Sequence, residues 1–291
     1  MTLESIYSRH YKKLILIPLI LFIASVIILV LSQANTGSIV DRDVNLKGGI
    51  EAVITKELNF EELKVYLESS FEDISVIKLA DATTSRTTGI SIKVSGATEE
   101  ELRNVLAEQT DINFDDPNEY SVSFTEGQFA ADTYKSLMYV LIIGFILMGI
   151  AVSIAFRNVI ASMAIISAAL MDVIITLAVI SVSGMKLTEG GIAALLLIIA
   201  YSIDTDVLLT TKMLKQKQEN MYVSLKGAMK TGLTMTATTL VALSAAYFIV
   251  FNPILKQIFL IIIIAMFADV ITTYLSNGSM LIWYMKKKNL T

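Results

Sequence analysis

Apolar residues along this chain are gathered into six long runs, each with the length of a bilayer crossing. A membrane-spanning helix needs about 20 predominantly apolar residues. In chain order the runs are Leu14–Leu31, Ser136–Phe156, Val159–Val182, Gly190–Thr211, Ala228–Phe251 and Leu255–Met285. The last run exceeds one perpendicular span, so we expect it to tilt or to break at Asn277 and Gly278. The pattern predicts a polytopic α-helical membrane protein with six transmembrane helices.

The stretch between the first two runs, residues 34–135, has a different pattern in which strand and helix signals alternate. Asn59 is the candidate N-cap of the first helix, and Thr98 with Glu101 forms a capping box at the second. The predicted elements are strand Asn45–Thr55, helix Phe60–Phe71, strand Ile74–Ala80, polar turn Asp81–Thr88, strand Gly89–Val94, helix Thr98–Glu108 and strand Tyr120–Phe124. This β-α-β-β-α-β order predicts a ferredoxin-like α+β domain between helices 1 and 2.

Basic residues indicate on which side of the membrane each connection lies, because Lys and Arg concentrate on the cytoplasmic side. They occur before helix 1, between helices 2 and 3, around the connection of helices 4 and 5, and at the end of the chain. These residues are Arg9, Lys12, Lys13, Arg157, Lys212, Lys215, Lys217, Lys226, Lys230 and Lys286 to Lys288. We therefore predict a multi-pass protein of the cytoplasmic (inner) cell membrane, with both termini cytoplasmic and residues 34–135 outside.

This topology divides the chain into four parts. We expect a cytoplasmic N-terminus and helix 1 at 1–33, an extracytoplasmic domain at 34–135, helices 2–6 at 136–285 and a cytoplasmic tail at 286–291. The first apolar run is longer than the roughly 7–15 residues of a signal-peptide core, so we expect an uncleaved anchor. The outer segment carries 20 acidic and 9 basic residues. This charge keeps the domain solvated or orients charged clients.

Composition excludes several kinds of chemistry. The chain has no Cys and a single His, His10, which rules out disulfides, thiolate or His-rich metal sites and Ser-His-Asp triads. Gly227 and Gly232 have the spacing of a phosphate-binding loop, but Leu and Thr follow the second glycine, where that motif needs Lys and then Ser or Thr. We therefore expect no metal, cofactor, nucleic-acid partner or enzymatic activity, and an energy source other than ATP.

Four carboxylates lie inside the apolar runs: Asp172, Asp204, Asp206 and Asp269. An Asp at the centre of a membrane helix costs roughly 2.5–3.5 kcal/mol, and such residues usually face a bundle interior and mark ion or proton pathways. Removal from water favours the neutral, protonated form of a carboxylate, which is the property that a proton-coupled switch needs. The alternative is that each Asp is only a structural hydrogen-bond or ion-pair partner.

Helix 4 is polar on two sides. At 100° per residue, Asp204 and Asp206 lie about 160° apart around the helix. One polar stripe consists of Ser202, Asp206 and Thr210. The other consists of Tyr201, Thr205 and Lys212, with Asp204 and Thr211 at its edge. Since lipid offers no hydrogen bonds, this helix must be central in a bundle or contact the helices of a partner. We expect Asp206 to be the titrating group, followed by Asp204 and then by Asp172 and Asp269.

Helix 5 is rich in hydroxyl groups near its cytoplasmic end. Thr234 and Thr238 belong to this set, and Lys230 lies at the start of the apolar run. Beside the carboxylates of helix 4, these groups predict a hydrated polar path. Thr side chains can also bond the carbonyls of their own helix, which is the alternative interpretation.

Two short motifs resemble those of the SecF family, the smaller subunits of SecDF protein-export complexes in the resistance-nodulation-division superfamily. Asn45-Leu46-Lys47-Gly48-Gly49 is similar to the family's Asp-Phe-x-Gly-Gly. The segment from Tyr201 to Asp206 is similar to its Tyr-Ser-Ile/Leu-Asn-Asp-Thr. In this register Asp204 replaces the family's Asn, Thr205 its Asp and Asp206 its Thr, a form that resembles archaeal members. Lys230 is an approximate match for the family's basic residue on helix 5.

The resemblance implies half of a transporter. A SecD-like subunit would supply the other half, and such transporters place the ion site at the repeat interface near mid-membrane. The complex would act beside the SecY translocon and use the proton motive force to draw exported client proteins across the membrane. Of the alternatives, a proton-coupled exporter of lipids or small molecules and a purely structural assembly subunit stay open. An intramembrane aspartyl protease is disfavoured because its Tyr-Asp and Gly-x-Gly-Asp motifs are absent from the sequence.

The predicted topology can be tested by cysteine labelling. A cysteine introduced at Ser69 should react with an impermeant reagent from outside intact cells, because the positive-inside rule puts residues 34–135 there. A cysteine at Lys217 should react only after the cells are opened. Labelling of both positions from outside would contradict the six-helix topology.

Overall fold

A computed structural model of the chain describes residues 3–56, 58–71, 73–80, 87–215 and 221–288. Within these ranges six helices are long and apolar enough to cross a membrane, so the predicted number of membrane helices is confirmed. Most of the predicted turn at Asp81–Thr88, Lys217 and the last three residues fall outside the described ranges.

The elements follow one another in a simple order. Two helices, α1 (Leu3–Leu14) and α2 (Leu16–Thr36), are followed by α3 (Val44–Lys47), β1 (Gly49–Ile54), α4 (Phe60–Ser70), β2 (Ile74–Ala80), β3 (Thr87–Val94), α5 (Glu99–Gln109) and β4 (Tyr120–Thr125). The remaining helices are α6 (Gly127–Phe156), α7 (Val159–Val182), α8 (Glu189–Lys215), α9 (Met221–Ile249), α10 (Pro253–Ile271) and α11 (Gly278–Lys287). A π-helical turn, Thr272–Asn277, joins α10 to α11 and is called the π segment below.

The six membrane helices are not equally buried. In α7, α8 and the composite helix α10–α11, half or more of the most apolar stretch is buried, against 11% in α2, α6 and α9. The three buried helices therefore form the centre of the bundle. They are also the helices that carry Asp172, Asp206 and Asp269, so their central position brings these carboxylates into the protein interior.

The last apolar run does not break where its length suggested. Asn277 and Gly278 both have right-handed helical backbone angles, and the helix passes from α10 through the π segment into α11. The amide of Gly278 bonds the carbonyl of Thr273, five residues back, which is the wider spacing of a π turn. One locally widened turn therefore replaces the predicted break.

The four strands form one antiparallel sheet in the order β2-β3-β1-β4. Every second residue of β1 is buried, because successive side chains of a strand point to opposite faces, whereas in β3 Ser91 and Lys93 on the other face are buried as well. The buried face packs against α4 and α5 through a core of Ile50, Ala52, Ile54, Leu63, Leu67, Ile90, Ile92, Val94, Leu102 and Leu106. The predicted β-α-β-β-α-β order of elements is thus observed.

The details of this unit differ from the prediction in two places. Asn45 begins no strand: it lies in the helical turn α3, and β1 starts only at Gly49. Asn59 makes no capping bond to the backbone and instead donates from Nδ2 to Glu62 at 3.0 Å. The predicted capping box is confirmed, with reciprocal bonds between Thr98 and Glu101.

Gly48 and Gly49 allow the close packing between α3, the sheet and the start of α6. Their φ angles are 88° and 151°, which L-residues with a side chain rarely adopt. A Cβ on Gly48 would lie 2.6 Å from the Cα of Gly127, and one on Gly49 would lie 2.3 Å from the carbonyl oxygen of Val94. Larger residues at either position would force these elements apart.

The sheet unit is fixed to the connection between α7 and α8. The amide of Asp43 donates to the carbonyl of Leu187 at 3.0 Å, and the amide of Leu187 donates to Asp41 at 2.7 Å. Lys186 of the same connection binds the carboxylate of Asp73, which also pairs with Lys47 at 2.7 Å. Asp73 thus joins the sheet unit to the membrane helices.

The charge of Asp73 is stabilised by its two lysines. Burial by itself would raise the pKa of Asp73, but the hydrogen bonds and charges of Lys186 and Lys47 outweigh it and hold the pKa below the usual 3.8. A carboxylate with a lowered pKa stabilises the docked arrangement above its ordinary pKa, and loses this contribution as the pH falls through the lower value.

Removing the charge of Asp73 should loosen the contact between the sheet unit and the membrane helices. In Asp73→Asn we expect the amides of Asp43 and Leu187 to exchange hydrogen severalfold faster at neutral pH. In the unsubstituted protein the same change should occur only in acid, as the pH falls below the usual carboxyl pKa and through the lowered pKa of Asp73. Hydrogen-exchange mass spectrometry of the purified protein measures both effects.

Glu68→Gln is the matched control. Glu68 pairs with Lys64 across one exposed turn of α4 at 3.7 Å, a contact worth little to stability. Its substitution should leave both exchange rates unchanged. Equal rates in the two variants would show that Asp73 contributes nothing to the docking.

Candidate functional site

Three carboxylates lie in the interior of the helix bundle. Asp172 comes from α7, Asp206 from α8 and Asp269 from α10; the first two are fully buried and Asp269 is 7% exposed. Asp172 lies near the middle of α7 and Asp206 in the second half of α8, while Asp269 lies in the last turn of α10, where the chain continues into the π segment. A charge buried this way is tolerated only when it is paired, hydrogen-bonded or neutralised.

Asp172 is held by one hydroxyl on each carboxylate oxygen. Ser202 of α8 donates to Oδ2 at 2.6 Å, and Thr272 of the π segment donates to Oδ1. Because Ser202 and Thr272 belong to different helices, Asp172 ties α7 to both α8 and the π segment.

Asp269 and Asp206 share the hydroxyl of Thr273. This hydroxyl lies 2.9 Å from Oδ1 of Asp206 and 3.0 Å from Oδ1 of Asp269. A Thr hydroxyl has a single proton to donate, so it can serve only one of the two at a time. Thr205 lies 3.0 Å from both oxygens of Asp269, and Asn277 donates to Oδ1 of Asp206 at 2.7 Å.

The π segment supplies most of these donors. Thr272, Thr273 and Asn277 all belong to it, and Asp269 precedes it by less than one turn. Asp269, Thr273 and Asn277 follow one another at intervals of four residues, so they lie along one side of the helix. Single π turns inside α-helices occur frequently at functional sites, and here the wide turn faces the carboxylates.

All hydrogen-bond donors to the three carboxylates are neutral. Among the described residues, no Lys, Arg or His forms an ion pair with Asp172, Asp206 or Asp269. Three adjacent charges without a counterion would be prohibitively costly in a medium of low dielectric. The arrangement therefore requires at least one bound proton or cation.

One carboxylate oxygen stands apart from the others. Five of the six oxygens of the three Asp residues accept a hydrogen bond, whereas Oδ2 of Asp206 has no partner in the described part of the chain. In the ionised form this oxygen lacks a donor, and in the protonated form its O–H would need an acceptor. Thr210, one helical turn further toward the α8 C-terminus, is also fully buried with an unpaired Oγ1. Oδ2 of Asp206 is thus the one oxygen of the three carboxylates that no described donor stabilises in the ionised form.

Asp204 lies outside this cluster. Its side chain is exposed on the surface of the bundle, at a groove of about 80 Å³ between α8, α9 and α10. Tyr201 and Thr236 line the same groove, which extends inward to Thr205 and Asp269. Asp204 therefore faces whatever covers this side of the bundle, and the groove connects that side with the buried carboxylates.

The predicted polar path on helix 5 is not brought to the carboxylates. Thr234 and Thr238 are exposed, and their hydroxyls bond the carbonyls of Lys230 and Met235 in their own helix, both at 2.8 Å. Lys230 is exposed as well. The residues of α9 that do line the groove are Met235, Thr236 and Thr239, of which Thr236 is buried.

Comparison with known proteins assigns the family. The family model described as "Protein export membrane protein SecD/SecF, C-terminal" matches residues 105–287. The protein-export membrane protein SecF of Methanolacinia petrolearia is 31% identical over 95% of this chain and 94% of its own length. The chain belongs to the SecF family. Its relatives in Pyrococcus furiosus and Methanocaldococcus jannaschii are also 31% identical, over 98% and 95% of this chain and 95% and 96% of theirs.

Solved structures of SecDF have the same fold. The crystal structure of SecDF from Thermus thermophilus, described as a translocon-associated membrane protein, gives a TM-score of 0.72 at 16% identity and covers 95% of this chain. A second form, named super-membrane-facing, gives 0.61 at 16% identity and covers 99%. This SecF-family chain spans 38% and 39% of those two chains.

Sequence reasoning missed the donors on the last helix. Thr272, Thr273 and Asn277 were not among the candidate residues, although the spacing Asp269, Thr273, Asn277 repeats every four residues within an apolar run. That repeat was the available signal. It is weak without the structure, because only the π turn brings Thr272 and Thr273 together onto carboxylates of two other helices.

The hydrogen bonds of Asp172 predict a difference between two substitutions. Asp172→Asn keeps a carbonyl oxygen for Ser202 or Thr272, whereas Asp172→Leu removes the acceptor of the 2.6 Å bond from Ser202 and leaves Thr272 only the carbonyls of Ala268 and Asp269, each at 3.2 Å. An unsatisfied buried polar group costs about 1–3 kcal/mol. We therefore expect the leucine variant to have the lower Tm in detergent, measured from the intrinsic fluorescence of Trp283 during a thermal scan. Equal Tm values would mean that these bonds contribute nothing to stability.

Proposed function

We propose that this chain is the ion-coupling half of a two-subunit protein-export complex in the cytoplasmic membrane. The observation that carries the proposal is the cluster of three buried carboxylates held only by neutral donors. Membership of the SecF family supplies the process, since its relatives are named as protein-export membrane proteins. The transported ion we propose is a proton, with the proton motive force as the energy source.

The proposed cycle follows from the hydrogen bonds. When Oδ2 of Asp206 holds a proton, the buried site carries less negative charge and the donors of the π segment can stay in place. When that proton leaves, the new charge competes with Asp269 for the single hydroxyl proton of Thr273. This competition favours a rearrangement of the π segment, which would transmit the ionisation step to the helices around it.

A SecD-like subunit is the proposed partner on the groove side. Asp204 is exposed at mid-membrane depth, and lipid would leave its carboxylate without a hydrogen bond. A partner helix that offers a hydroxyl, amide or basic group would cover both Asp204 and the groove above Asp269. The SecDF chains are more than twice the length of this one, which agrees with a second subunit of similar size.

The remaining parts of the proposal concern the topology of the chain, the sheet unit and the partners of the complex. We infer that both termini are cytoplasmic, that the sheet unit is a ferredoxin-like domain outside the membrane, and that the complex works beside the SecY translocon on exported client proteins. The order and antiparallel pairing of the strands support the ferredoxin-like assignment. The protein would act without cofactor, resident metal or nucleic acid, and would catalyse no covalent step.

Substitution of the carboxylates tests the coupling. Asp206→Asn and Asp269→Asn keep the size of the side chain but cannot exchange a proton. In proteoliposomes that contain the partner subunit and the translocon, each should reduce the stimulation of export by an imposed pH gradient at least about tenfold, the loss expected for a required general acid–base group. Asp204→Asn, outside the cluster, should keep most of the stimulation once the complex is assembled.

Copurification of the partner subunit is the control for assembly. The variants should retain the partner at wild-type levels, so that a loss of stimulation reports coupling rather than assembly. Full gradient dependence in both Asp206→Asn and Asp269→Asn would mean that the carboxylates only hold the helices together. The protein would then be a structural assembly subunit.

A further inference from the structure

The N-terminal helix α1 reaches the π segment through one side chain. The hydroxyl of Tyr7 donates to the carbonyl oxygen of Tyr274 at 2.9 Å, across 267 positions of sequence. Tyr7 is 2% exposed and Tyr274 5% exposed, so this bond is shielded from water. A shielded bond between a side chain and a backbone carbonyl fixes the position of that peptide group.

The same segment is also held by α9. The ring of Tyr274 extends to Gly232, where an added Cβ would lie 2.2 Å from the Tyr274 hydroxyl oxygen. The absence of a side chain at Gly232 therefore makes room for the ring. The backbone of Tyr274 is held by α1, while its side chain is held by α9.

Tyr274 lies directly between the donors that serve Asp206. Thr273 precedes it, Asn277 follows three residues later, and both donate to Oδ1 of Asp206. A π turn has a wider backbone than the α-helix on either side, and it persists only where surrounding contacts favour it. A shift of the Tyr274 peptide would rotate both donors relative to the carboxylate.

From these contacts we propose that Tyr7 is a positioning residue for the carboxylate site: it holds the π segment so that Thr273 and Asn277 stay on Asp206. The inference rests on the proposed function, in which Asp206 gains and loses a proton. It also gives α1 a role at the carboxylate site, because a displacement of α1 would release the π segment. Tyr7 packs into the apolar cluster around Leu209, Leu225 and Leu281, so α1 and the interior would move together.

The titratable groups near the π segment are few. Among the described residues, α2 contributes no titratable side chain, and Tyr284 of α11 is instead bonded by Asn158 at 2.7 Å. Lys226 and Lys230 of α9 are exposed. The groups that face the segment are Asp172 of α7, Asp206 of α8, Asp269 of α10, Tyr7 of α1 and Tyr274 itself. A change in carboxyl titration on substitution of Tyr7 would thus report on the cluster.

Tyr7→Phe tests the proposal because it removes one hydroxyl and keeps the ring. The matched control is Tyr11→Phe, one turn along α1; Tyr11 packs under Lys286 with Nζ 4.6 Å from the ring centre. In the purified complex with its partner, the infrared carbonyl band of protonated carboxyls is titrated with pH. We expect Tyr7→Phe to shift the midpoint and to lower gradient-stimulated export about two- to tenfold, the effect of one hydrogen bond. Tyr11→Phe should change neither.

Gly232→Ala is a second variant that disturbs the π segment through α9 rather than through α1. It pushes on the Tyr274 ring without touching α1, and it should shift the same carboxyl midpoint. If Tyr7→Phe and Gly232→Ala both titrate like Tyr11→Phe, the positioning role is wrong. If the unsubstituted complex shows no gradient stimulation while Tyr7→Phe still shifts the midpoint, the proposed function fails and the positioning role stands.

Discussion

Burial of three carboxylates in one apolar site is the constraint on which the rest of the membrane part depends. Asp172, Asp206 and Asp269 come from three helices, and no basic side chain in the described ranges neutralises them. They are tolerated because hydroxyl and amide donors surround them, and because a bound proton or cation can remove charge. Apart from the bond of Thr273 to Asp269 within one helix, the donors come from neighbouring helices, so satisfying the carboxylates also determines how α7, α8 and α10 pack.

The π segment reconciles this requirement with helix geometry. In an unbroken α-helix Thr272 and Thr273 would point about 100° apart. Thr272 must nevertheless reach the carboxylate of α7, and Thr273 must reach those of α8 and α10. The widened turn accommodates them without a break in the chain. The widened backbone needs support from outside the segment, which the hydroxyl of Tyr7 in α1 and the space at Gly232 in α9 provide.

A second set of charges joins the sheet unit to the membrane helices, and in this set the carboxylate is paired with basic side chains. Near the surface, Asp73 is ionised and paired with two lysines, and water lowers the cost of each charge. In the bundle the carboxylates lack such partners. The molecule therefore has a charged contact that fixes the sheet unit and a separate set of neutral donors around the buried carboxylates. A movement of the connection between α7 and α8 would displace both the charged contact at Asp73 and the buried carboxylates, because the connection carries Lys186 and the two helices carry Asp172 and Asp206.

Much of this protein was determined by local patterns in the sequence. The lengths of the apolar runs gave the membrane helices, alternating signals between 34 and 135 gave the order of strands and helices, and the motif around Tyr201 indicated the family. Asp206 was recognised because a carboxylate in an apolar run is costly wherever the helix lies. The tertiary structure decided which carboxylates meet: Asp172 and Asp269 join Asp206, while Asp204 faces outward although it is two residues away. Periodicity gives the angle between residues on one helix, but the neighbours on each side depend on how several helices pack. The π turn was equally unpredictable, since contacts from α1 and α9, distant in sequence, stabilise it.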